Sequence, residues 1–368
     1  EPNTRICPVC AGLPGSLPVL NRRAVELAVM VGLGLNCKIS ERALFYRKNY
    51  FYPDLPKNFQ ISQYDKAGGV PIGSDGWLEV DGKRVRIKRV HLEEDPGKLT
   101  YEGTIERSSY SLVDYNRAGI ALVEIVTEPD LSTPREAKSF LEGLSGTIES
   151  LGVSDGELEG AMRCDANVSL WGGPRVEIKN ISSFREVAKA LSYEMLRQKT
   201  FSQGSNEGAT ETRHWDERRS ITIAVRTKEK EEDYRYFPEP DLPPLHLTSE
   251  NIERIRSEMP ELQQPRAERY EDDYKIPRRV ASELAKSEVL ANFFDESARM
   301  YADSAGLANW IAGELRAQLE RPEAEGKGLP FSPRDFVELL KLVQGGTITR
   351  VQAREVLKEM VKTGNSAK

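Results

Sequence analysis

A proline-rich segment, Glu239-Pro240-Asp241-Leu242-Pro243-Pro244, divides the sequence into two parts with different hydrophobic patterns. Before it, alternating and β-branched segments interleave with helical ones, and after it nearly every segment has helical periodicity. Proline fixes φ and lacks an amide donor, so neither a helix nor a central strand continues through this segment. At 368 residues the chain is also too long for one ordinary core. We therefore expect an α+β domain over residues 1–245 and an all-α helical domain over residues 246–368.

Composition restricts the class of protein. A mean hydropathy of −0.53 with 30% charged residues is typical of a soluble globular protein. The longest apolar run, around Ala24 to Leu35, has the length of a core helix and is too short to cross a bilayer. The first residues do not have the pattern of a secretory signal, so we expect a cytoplasmic protein without a membrane partner. The net charge of −6 is not that of a general nucleic-acid binder, although a local basic face stays open.

Local signals in the first part indicate strands and helices together. Asp81-Gly82 between two alternating segments is the strongest short signal for a hairpin. Thr133-Pro134-Arg135-Glu136 and Ser183-Phe184-Arg185-Glu186 have the capping-box pattern of helix starts. Residues 120–127 are a continuous run that predicts a buried strand, and residues 162–170 alternate as in a half-buried one. We expect an antiparallel sheet with flanking helices.

The second part carries a series of helical patterns. They lie near residues 249–259, 276–302, 304–320, 333–344 and 349–362, with an exposed connector at Arg321 to Gly328.

Two of the four cysteines, Cys7 and Cys10, form a Cys-Pro-Val-Cys pair. In an intracellular chain such a pair is either half of a zinc site or a redox pair. A redox pair is normally followed by a helix, whereas a Gly-Leu-Pro-Gly loop follows here. Zinc is the better interpretation, although a structural site needs four ligands and no second pair lies downstream.

Acidic residues in strand-like segments are the candidates for metal chemistry. Glu93 and Glu94 are adjacent, so on a strand they face opposite ways and only one can enter a given pocket. Glu124 lies inside an apolar run, where an unpaired carboxylate is costly. With Asp165 on the polar face of its strand, three acids from three segments could converge on Mg²⁺. Alternatively, Glu124 pairs with an arginine such as Arg117 or Arg163 and the other acids lie on the surface, which is the commoner arrangement of such acids.

Two segments combine basic and aromatic residues, Arg47 to Lys57 and Asp233 to Asp241. Such segments can stack on or clamp a nucleotide, or they can be core-covering loops with half-buried tyrosines. The first segment alone would support an RNA-binding module. The sequence contains neither a phosphate-binding loop with lysine nor a Gly-x-Ser-x-Gly nucleophile motif.

Taken together, eight motifs in order resemble GatB, a subunit of the tRNA-dependent amidotransferases. The resemblance runs from about residue 2 to 245 and continues more weakly through the helical part. The archaeal paralogue GatE shares part of the pattern but lacks the Asn-Tyr-Phe-Tyr-Pro run found here. The motifs are Cys-Pro-Val-Cys-Ala-Gly-Leu-Pro-Gly, Arg-Lys-Asn-Tyr-Phe-Tyr-Pro-Asp-Leu-Pro-Lys, Gln-Ile-Ser-Gln-Tyr-Asp, His-Leu-Glu-Glu-Asp-Pro-Gly-Lys, Leu-Val-Asp-Tyr-Asn-Arg-Ala-Gly, Val-Glu-Ile-Val-Thr-Glu-Pro-Asp, Arg-Cys-Asp-Ala-Asn-Val-Ser and Asp-Tyr-Arg-Tyr-Phe-Pro-Glu-Pro-Asp-Leu-Pro-Pro.

The resemblance implies a carbon-nitrogen ligase that uses glutamine as amido donor and converts Glu-tRNA(Gln), often also Asp-tRNA(Asn), to the amide. It implies a cradle-like domain that phosphorylates the side-chain carboxylate with ATP. Mg²⁺ is expected on Glu94, Glu124 and Asp165, so the resemblance favours the metal hypothesis over a structural ion pair. Glu94, Glu124 and Lys57 are the expected catalytic residues, and ammonia is expected to pass Lys48, Tyr52 and Lys57.

The resemblance also implies partners. These are the amidase subunit of the amidotransferase, its small third subunit, tRNA(Gln) and in many members tRNA(Asn), with the cognate aminoacyl-tRNA synthetase as a further candidate. Against the family pattern, an opening strand with Glu-x-His and a first cysteine pair are missing before Glu1. A C-terminal tRNA-binding tail domain is expected beyond Lys368. Two alternatives remain: a non-catalytic tRNA-docking and ammonia-tunnel scaffold of the same complex, or an archaeal-type Glu-tRNA amidotransferase chain of the GatE kind.

Overall fold

The computed structural model of the chain describes residues 1–101, 108–154, 162–170, 173–201, 211–227, 231–319 and 329–367. Contacts separate two units, Glu1–Met259 and Pro260–Lys368. The first unit is α+β and the second is helical, which confirms the expected fold class. The first unit continues past the proline-rich segment, because the short strand Leu245–His246 pairs with Arg42–Ala43. The connector expected at Arg321 to Gly328 lies outside the described residues.

The first unit contains two larger sheets and four helices among its described residues. In chain order its elements are α1 (Arg22–Gly34), β1 (Lys38–Ile39), β2 (Arg42–Ala43), β3 (Tyr46–Asn49), β4 (Phe59–Ser62), β5 (Gly73–Val80), β6 (Lys83–Glu94), β7 (Lys98–Tyr101), β8 (Ser111–Asp114), β9 (Ala121–Thr127), α2 (Pro134–Ser150), β10 (Cys164–Val168), β11 (Val176–Ile181), α3 (Phe184–Phe201), β12 (Glu211–Asp216), β13 (Ile221–Thr227), β14 (Phe237–Pro238), β15 (Leu245–His246) and α4 (Ser249–Glu258).

The long strand β6 organises the larger sheet. This sheet has the order β1-β5-β6-β4-β3-β14, and β9 pairs with β6 outside that path. Asp81 and Gly82 form the turn between β5 and β6 with φ values of 52° and 75°. Positive φ at both central residues is the type I′ turn that matches strand twist. The predicted hairpin is therefore confirmed, and its second strand forms the centre of the sheet.

Strand β9 covers the predicted strand at residues 120–127, but it is not fully buried. It pairs only with β6, and its residues range from exposed to half-buried. An edge strand keeps one side toward solvent, so the prediction was correct for the strand and wrong for its burial. This partial exposure matters because β9 carries Glu124.

Helix α1 covers one face of the larger sheet. Asn21 caps it by accepting a hydrogen bond from the amide of Ala24. The helix contacts β5 and β6, and its buried side chains include Val25 and Val29. Helix α4 joins the same core through Ile255, so the residues after the proline-rich segment help to close it.

The smaller sheet has the order β10-β11-β12-β13. Its β11 and β12 are parallel, whereas the other two pairs are antiparallel. Helix α3 packs on this sheet, and α2 contacts both α3 and β5. In β10 the exposed Asp165 and Asn167 alternate with the buried Ala166 and Val168, as the sequence predicts.

The second unit is helical throughout its described residues. Its buried core contains Tyr270, Phe293, Phe294 and Phe336. The helix at Gln263–Tyr274 was not predicted, and the expected segment 276–302 is two helices, the second capped by Ser287. In chain order the elements are α5 (Gln263–Tyr274), α6 (Arg278–Ala285), α7 (Glu288–Ala298), α8 (Ser304–Asn309), a π-helical turn (Trp310–Leu315), α9 (Arg316–Leu319), α10 (Pro333–Gln344) and α11 (Arg350–Thr363).

Candidate active site

The pairing of β6 with β9 brings His91, Glu93 and Glu124 to one face of the larger sheet. His91 and Glu93 are two residues apart on β6, and Glu124 is the partner of His91 on β9. A register shift between Ile87 and Arg89 determines this arrangement. Without the extra residue in β6, Glu124 would lie opposite Val90 and face the other way. The bulge therefore creates the cluster, which we call the acid–histidine group (His91, Glu93, Glu124).

One side-chain atom from each residue of the acid–histidine group lies within 4.8 Å of the others. His91 Nε2 is 3.3 Å from Glu93 Oε1 and 3.9 Å from Glu124 Oε2. His91 is fully buried, and Glu93 retains 8% of its surface. Among the described residues this is the group of three or more potential ligands compact enough to hold a metal ion.

Glu93 is held as a carboxylate by its surroundings. Its oxygens accept hydrogen bonds from Ser62 Oγ at 2.6 Å and Gln60 Nε2 at 3.2 Å. Burial favours the neutral acid, but the contact with His91 and the charge of Lys48 outweigh it and lower the pKa of Glu93 to about 2. The residue therefore presents a fixed negative charge at neutral pH.

Glu124 is the half-buried and most accessible member of the acid–histidine group. Its side chain keeps 43% of its surface, and its Oε1 is 3.9 Å from Arg89 Nη2. Burial of the carboxylate and the charge of Glu93 raise the pKa of Glu124 above its ordinary value. The alternative of an ion pair between Glu124 and an arginine is therefore met by Arg89. The two arginines named as examples, Arg117 and Arg163, pair with Asp95 instead.

The donor set of this group fits a divalent cation. Two carboxylates are ligands that Mg²⁺ and Mn²⁺ prefer, and the imidazole nitrogen is acceptable to Mn²⁺ and strongly preferred by Zn²⁺. The carboxylates of Glu93 and Glu124 repel each other, and a cation bound between them would remove this repulsion. One side of the pair is open to solvent. The residues present thus fit a metal with open coordination positions.

Glu94 takes part in a different contact. Lys57 Nζ lies 2.5 Å and 2.6 Å from its two oxygens, and the amide of Ile61 donates to it at 2.9 Å. The Lys57 side chain is 7% exposed and Glu94 18%, so this ion pair is mostly buried. The alternation argument is consistent with the structure, since Glu93 and Glu94 have separate surroundings. Gln60 links them by donating to Glu93 Oε2 and to the carbonyl of Glu94.

The structure does not bring Glu94, Glu124 and Asp165 into one ligand group. Asp165 lies on β10 of the smaller sheet, where its half-exposed carboxylate is 3.3 Å from Lys179 Nζ. Of the expected Mg²⁺ ligands, only Glu124 belongs to the acid–histidine group.

Lys48 and Tyr52 lie in an aromatic cluster beside the acid–histidine group. The ammonium of Lys48 is 5.1 Å from the ring centre of Tyr234 and 5.7 Å from that of Tyr50. Tyr52 packs edge-on against Tyr50 at 5.8 Å. The charge of Lys48 acts on both Glu93 and Glu124, so it helps to balance the acids.

The segment Asp233 to Asp241 lies against β3. Arg47 donates to Glu239 at 2.6 Å and 3.0 Å and to Asp241 at 2.7 Å, while β14 pairs with β3. The side chain of Glu239 is fully buried. This network holds Tyr236 where its ring stacks on Tyr64 at 5.3 Å. The two basic and aromatic segments of the sequence thus form one structure.

Cys7 and Cys10 lie in a tight turn with their sulfur atoms 3.2 Å apart. The amide of Cys10 donates to Cys7 Sγ at 3.3 Å, and this contact lowers the pKa of Cys7. Burial raises the pKa of Cys10 to about 11. Amide donors to sulfur favour a thiolate, which is the ligand form that zinc binds. No third ligand completes this pair among the described residues.

Sequence reasoning missed His91 and Arg89 as site residues, and of the two adjacent acids it assigned Glu94 rather than Glu93 to the metal. Arg89, His91 and Glu93 alternate with apolar residues in this part of β6, and such spacing is a signal of a polar face on a strand. Their relation to Glu124 could not be predicted, because it depends on the bulge.

No helix in the described part of the chain is long and apolar enough to cross a membrane.

Comparisons with known proteins agree on one family. The family model described as GatB/GatE catalytic domain matches residues 1–253, and the one described as GatB domain matches residues 292–368. The corresponding subunit of the aspartyl/glutamyl-tRNA(Asn/Gln) amidotransferase from Sulfurisphaera tokodaii is 48% identical over 366 residues, which cover 99% of this chain and 77% of the relative. The proteins of the same name from Thermotoga maritima and Carboxydothermus hydrogenoformans are 48% and 44% identical, each over 99% of this chain and 77% of its own length.

Proposed function

Since the chain belongs to the GatB family of tRNA-dependent amidotransferase subunits, we propose that it activates the side-chain carboxylate of a misacylated tRNA with ATP and amidates it. The substrates are Glu-tRNA(Gln) and Asp-tRNA(Asn), the two that the names of its relatives print. The observation that carries this proposal is the acid–histidine group, which lies within the stretch matched by the family's catalytic domain.

The acid–histidine group is the proposed site of phosphoryl transfer. His91 Nε2 and one oxygen each of Glu93 and Glu124 would hold a divalent cation, with Mg²⁺ as the cation for ATP chemistry. When bound, the cation neutralises the charge on the transferring phosphoryl group. Ser62 and Gln60 keep Glu93 oriented through their hydrogen bonds. Glu124, with its open side, faces the space that substrate can enter.

The ion pair of Lys57 and Glu94 is the proposed proton-handling element for ammonia. Ammonia attacks the activated carbonyl carbon, phosphate leaves, and the new amide nitrogen must release a proton. Glu94 contacts Lys57, whose side chain is 7% exposed, so this pair would receive and pass on the proton away from bulk water. Lys48 and Tyr52 would line the approach, because both lie in the adjoining aromatic cluster.

As a member of the GatB family, the chain works within a complex of several subunits. We propose the amidase subunit of that complex as the source of ammonia, with its small third subunit, tRNA(Gln) and tRNA(Asn) as partners and the cognate synthetase as a further candidate. Cys7 and Cys10 would supply two ligands of a zinc site that stabilises the turn they occupy.

Steady-state assays of the reconstituted complex test the proposal. Glu124→Ala should abolish ATP-dependent amidation of Glu-tRNA(Gln) while leaving glutaminase activity, because Glu124 is needed at the phosphoryl-transfer site only. Glu142→Ala, which changes an acid on α2 that is 54% exposed, is the matched control and should keep both activities. Amidation that persists in Glu124→Ala would favour the tRNA-docking and tunnel scaffold instead.

Asp165→Ala separates the two ligand sets. It should retain amidation if the acid–histidine group holds the cation. Loss of amidation in Asp165→Ala would favour the set that the resemblance implies, Glu94, Glu124 and Asp165.

A further inference from the structure

Arg89 is a buried cation beside the acid–histidine group whose hydrogen-bonding capacity the protein does not use up. Its side chain is 8% exposed, and Nη1 pairs with Asp65 Oδ1 at 3.1 Å. Its Nε is buried and has no hydrogen-bond partner among the described residues. A buried donor without a partner is unfavourable, and binding of a ligand at that atom is one explanation for its presence.

The free edge of the Arg89 guanidinium has its Nη2 atom close to Glu124. Nε–H and one Nη2–H lie on the same edge, and Nη2 is 3.9 Å from Glu124 Oε1. That distance is an ion pair and is too long for a hydrogen bond. The edge formed by Nε and Nη2 therefore offers two parallel donors, which is the geometry that binds two oxygens of a phosphate.

Other contacts fix the Arg89 side chain in this orientation. The guanidinium carbon lies 5.0 Å from the ring centre of Tyr64, which stacks in turn on Tyr236. The contact with Asp65 holds the opposite edge. Because Arg89 follows the β6 bulge, it shares a face with His91 and Glu93. A guanidinium clamped in this way loses little conformational freedom when it binds an anion.

We propose that the Nε–Nη2 edge of Arg89 binds the terminal phosphoryl group of ATP next to the acid–histidine group. This inference rests on the proposed function, since it assigns a phosphate-binding residue to the same site. Arginine donors stabilise the charge of a transferring phosphoryl group. Glu124 and Arg89 would then be neighbouring residues at one phosphoryl group, Glu124 acting through the cation and Arg89 directly.

Ligand binding to the whole protein in its complex tests this inference by calorimetry. Arg89→Lys keeps the charge but removes the paired donors, so the dissociation constant for MgATP should rise about tenfold or more. The dissociation constant for MgADP, which lacks the terminal phosphoryl group, should stay within about twofold. Arg86→Lys is the matched control, because Arg86 is on the same strand, is 64% exposed and pairs with Asp130. It should leave both constants unchanged.

The outcomes separate this inference from the proposed function. Unchanged MgATP affinity in Arg89→Lys, or an equal loss for MgADP, overturns the role of Arg89 alone. A rise in KM for the misacylated tRNA with unchanged MgATP affinity also overturns it, because Arg89 would then bind the substrate carboxylate. A wild-type complex that binds no MgATP refutes the proposed function itself.

A structure of the wild-type complex with Mg²⁺ and a non-hydrolysable ATP analogue gives a test that does not depend on the folding of a variant. A terminal phosphoryl oxygen should lie within hydrogen-bond distance of both Nε and Nη2 of Arg89. An analogue seated elsewhere, with Arg89 still contacting only Asp65, contradicts the inference.

Discussion

Replacing Glu124 by glutamine should make the metal-free protein more stable and remove its response to metal. At an effective dielectric constant of about 20, two charges at the 4.8 Å limit of the acid–histidine group repel by about 3 kcal/mol. At the same dielectric constant, Arg89 Nη2, 3.9 Å from Glu124, attracts the carboxylate by about 4 kcal/mol, so the two charge interactions roughly cancel. The loss of hydration when the carboxylate is buried then disfavours its ionised form. The raised pKa of Glu124 shows that the ionised form is disfavoured on balance. We expect Glu124→Gln to stabilise the metal-free protein by about 1 kcal/mol at pH 7.5.

The sign of the pH dependence follows from the direction of that shift. An acid whose pKa is higher in the folded state favours folding while it is protonated and opposes folding once it ionises. The advantage of Glu124→Gln should therefore be full at pH values above the folded-state pKa of Glu124. It should disappear as the pH falls toward the unfolded-state value of about 4.3.

Denaturant unfolding with EDTA and with Mn²⁺ measures both effects. When the metal concentration is a hundred times its dissociation constant, the free energy of unfolding of the wild-type protein should rise by about 2.7 kcal/mol. That of Glu124→Gln should rise far less. Asp165→Asn, on the half-exposed face of β10, is the control and should respond to metal like the wild type. A variant that is less stable than the wild type in EDTA, or that gains as much from Mn²⁺, would refute this reasoning.

Three further predictions concern other contacts. Lys57→Met and Glu94→Gln should each lower the free energy of unfolding by about 3 kcal/mol, because each leaves a buried charge unpaired. In a double-mutant cycle, the double variant should lose less than the sum of the two single losses. Additive losses would contradict the coupling. At pH 8, iodoacetamide should label Cys7 before Cys10, because the pKa of Cys7 is lowered and that of Cys10 is raised. Zinc should protect both thiols from labelling. Equal labelling rates for the two cysteines would argue against the turn geometry. Arg86 lowers the pKa of Asp130 to about 2, so the free energy of unfolding should fall by up to about 1 kcal/mol as the pH falls from 4 to 2. Asp130→Asn should lack this part of the pH dependence. The same pH dependence in the variant and the wild type would contradict the prediction.

Local signals in the sequence were sufficient for much of the fold. The Asp81-Gly82 hairpin, the Thr133 helix cap and the alternation in β10 all depend on neighbouring residues, and the structure contains each of them. Helix α5 was missed because its buried face includes Arg266 and Tyr270, which do not form an apolar pattern.

The site depends on contacts between residues that are far apart in the sequence, and local sequence signals do not predict such contacts. Glu124 was correctly singled out as an acid that needs partners, but its partners follow from a one-residue shift in the pairing of β6 with β9. Glu94 was expected at the metal, whereas its carboxylate contacts Lys57, 37 residues away along the chain. Register and long-range ion pairs are set by the whole fold, so a single sequence does not determine them.

Anomalous diffraction from crystals of the whole protein grown with Mn²⁺ shows directly where the cation binds. The cation that serves ATP-dependent amidation is proposed to lie in the acid–histidine group. We expect one anomalous peak within about 2.5 Å of His91 Nε2 and of an oxygen from each of Glu93 and Glu124. A peak between Glu94 and Asp165, or no peak at the acid–histidine group at saturating Mn²⁺, would contradict this assignment.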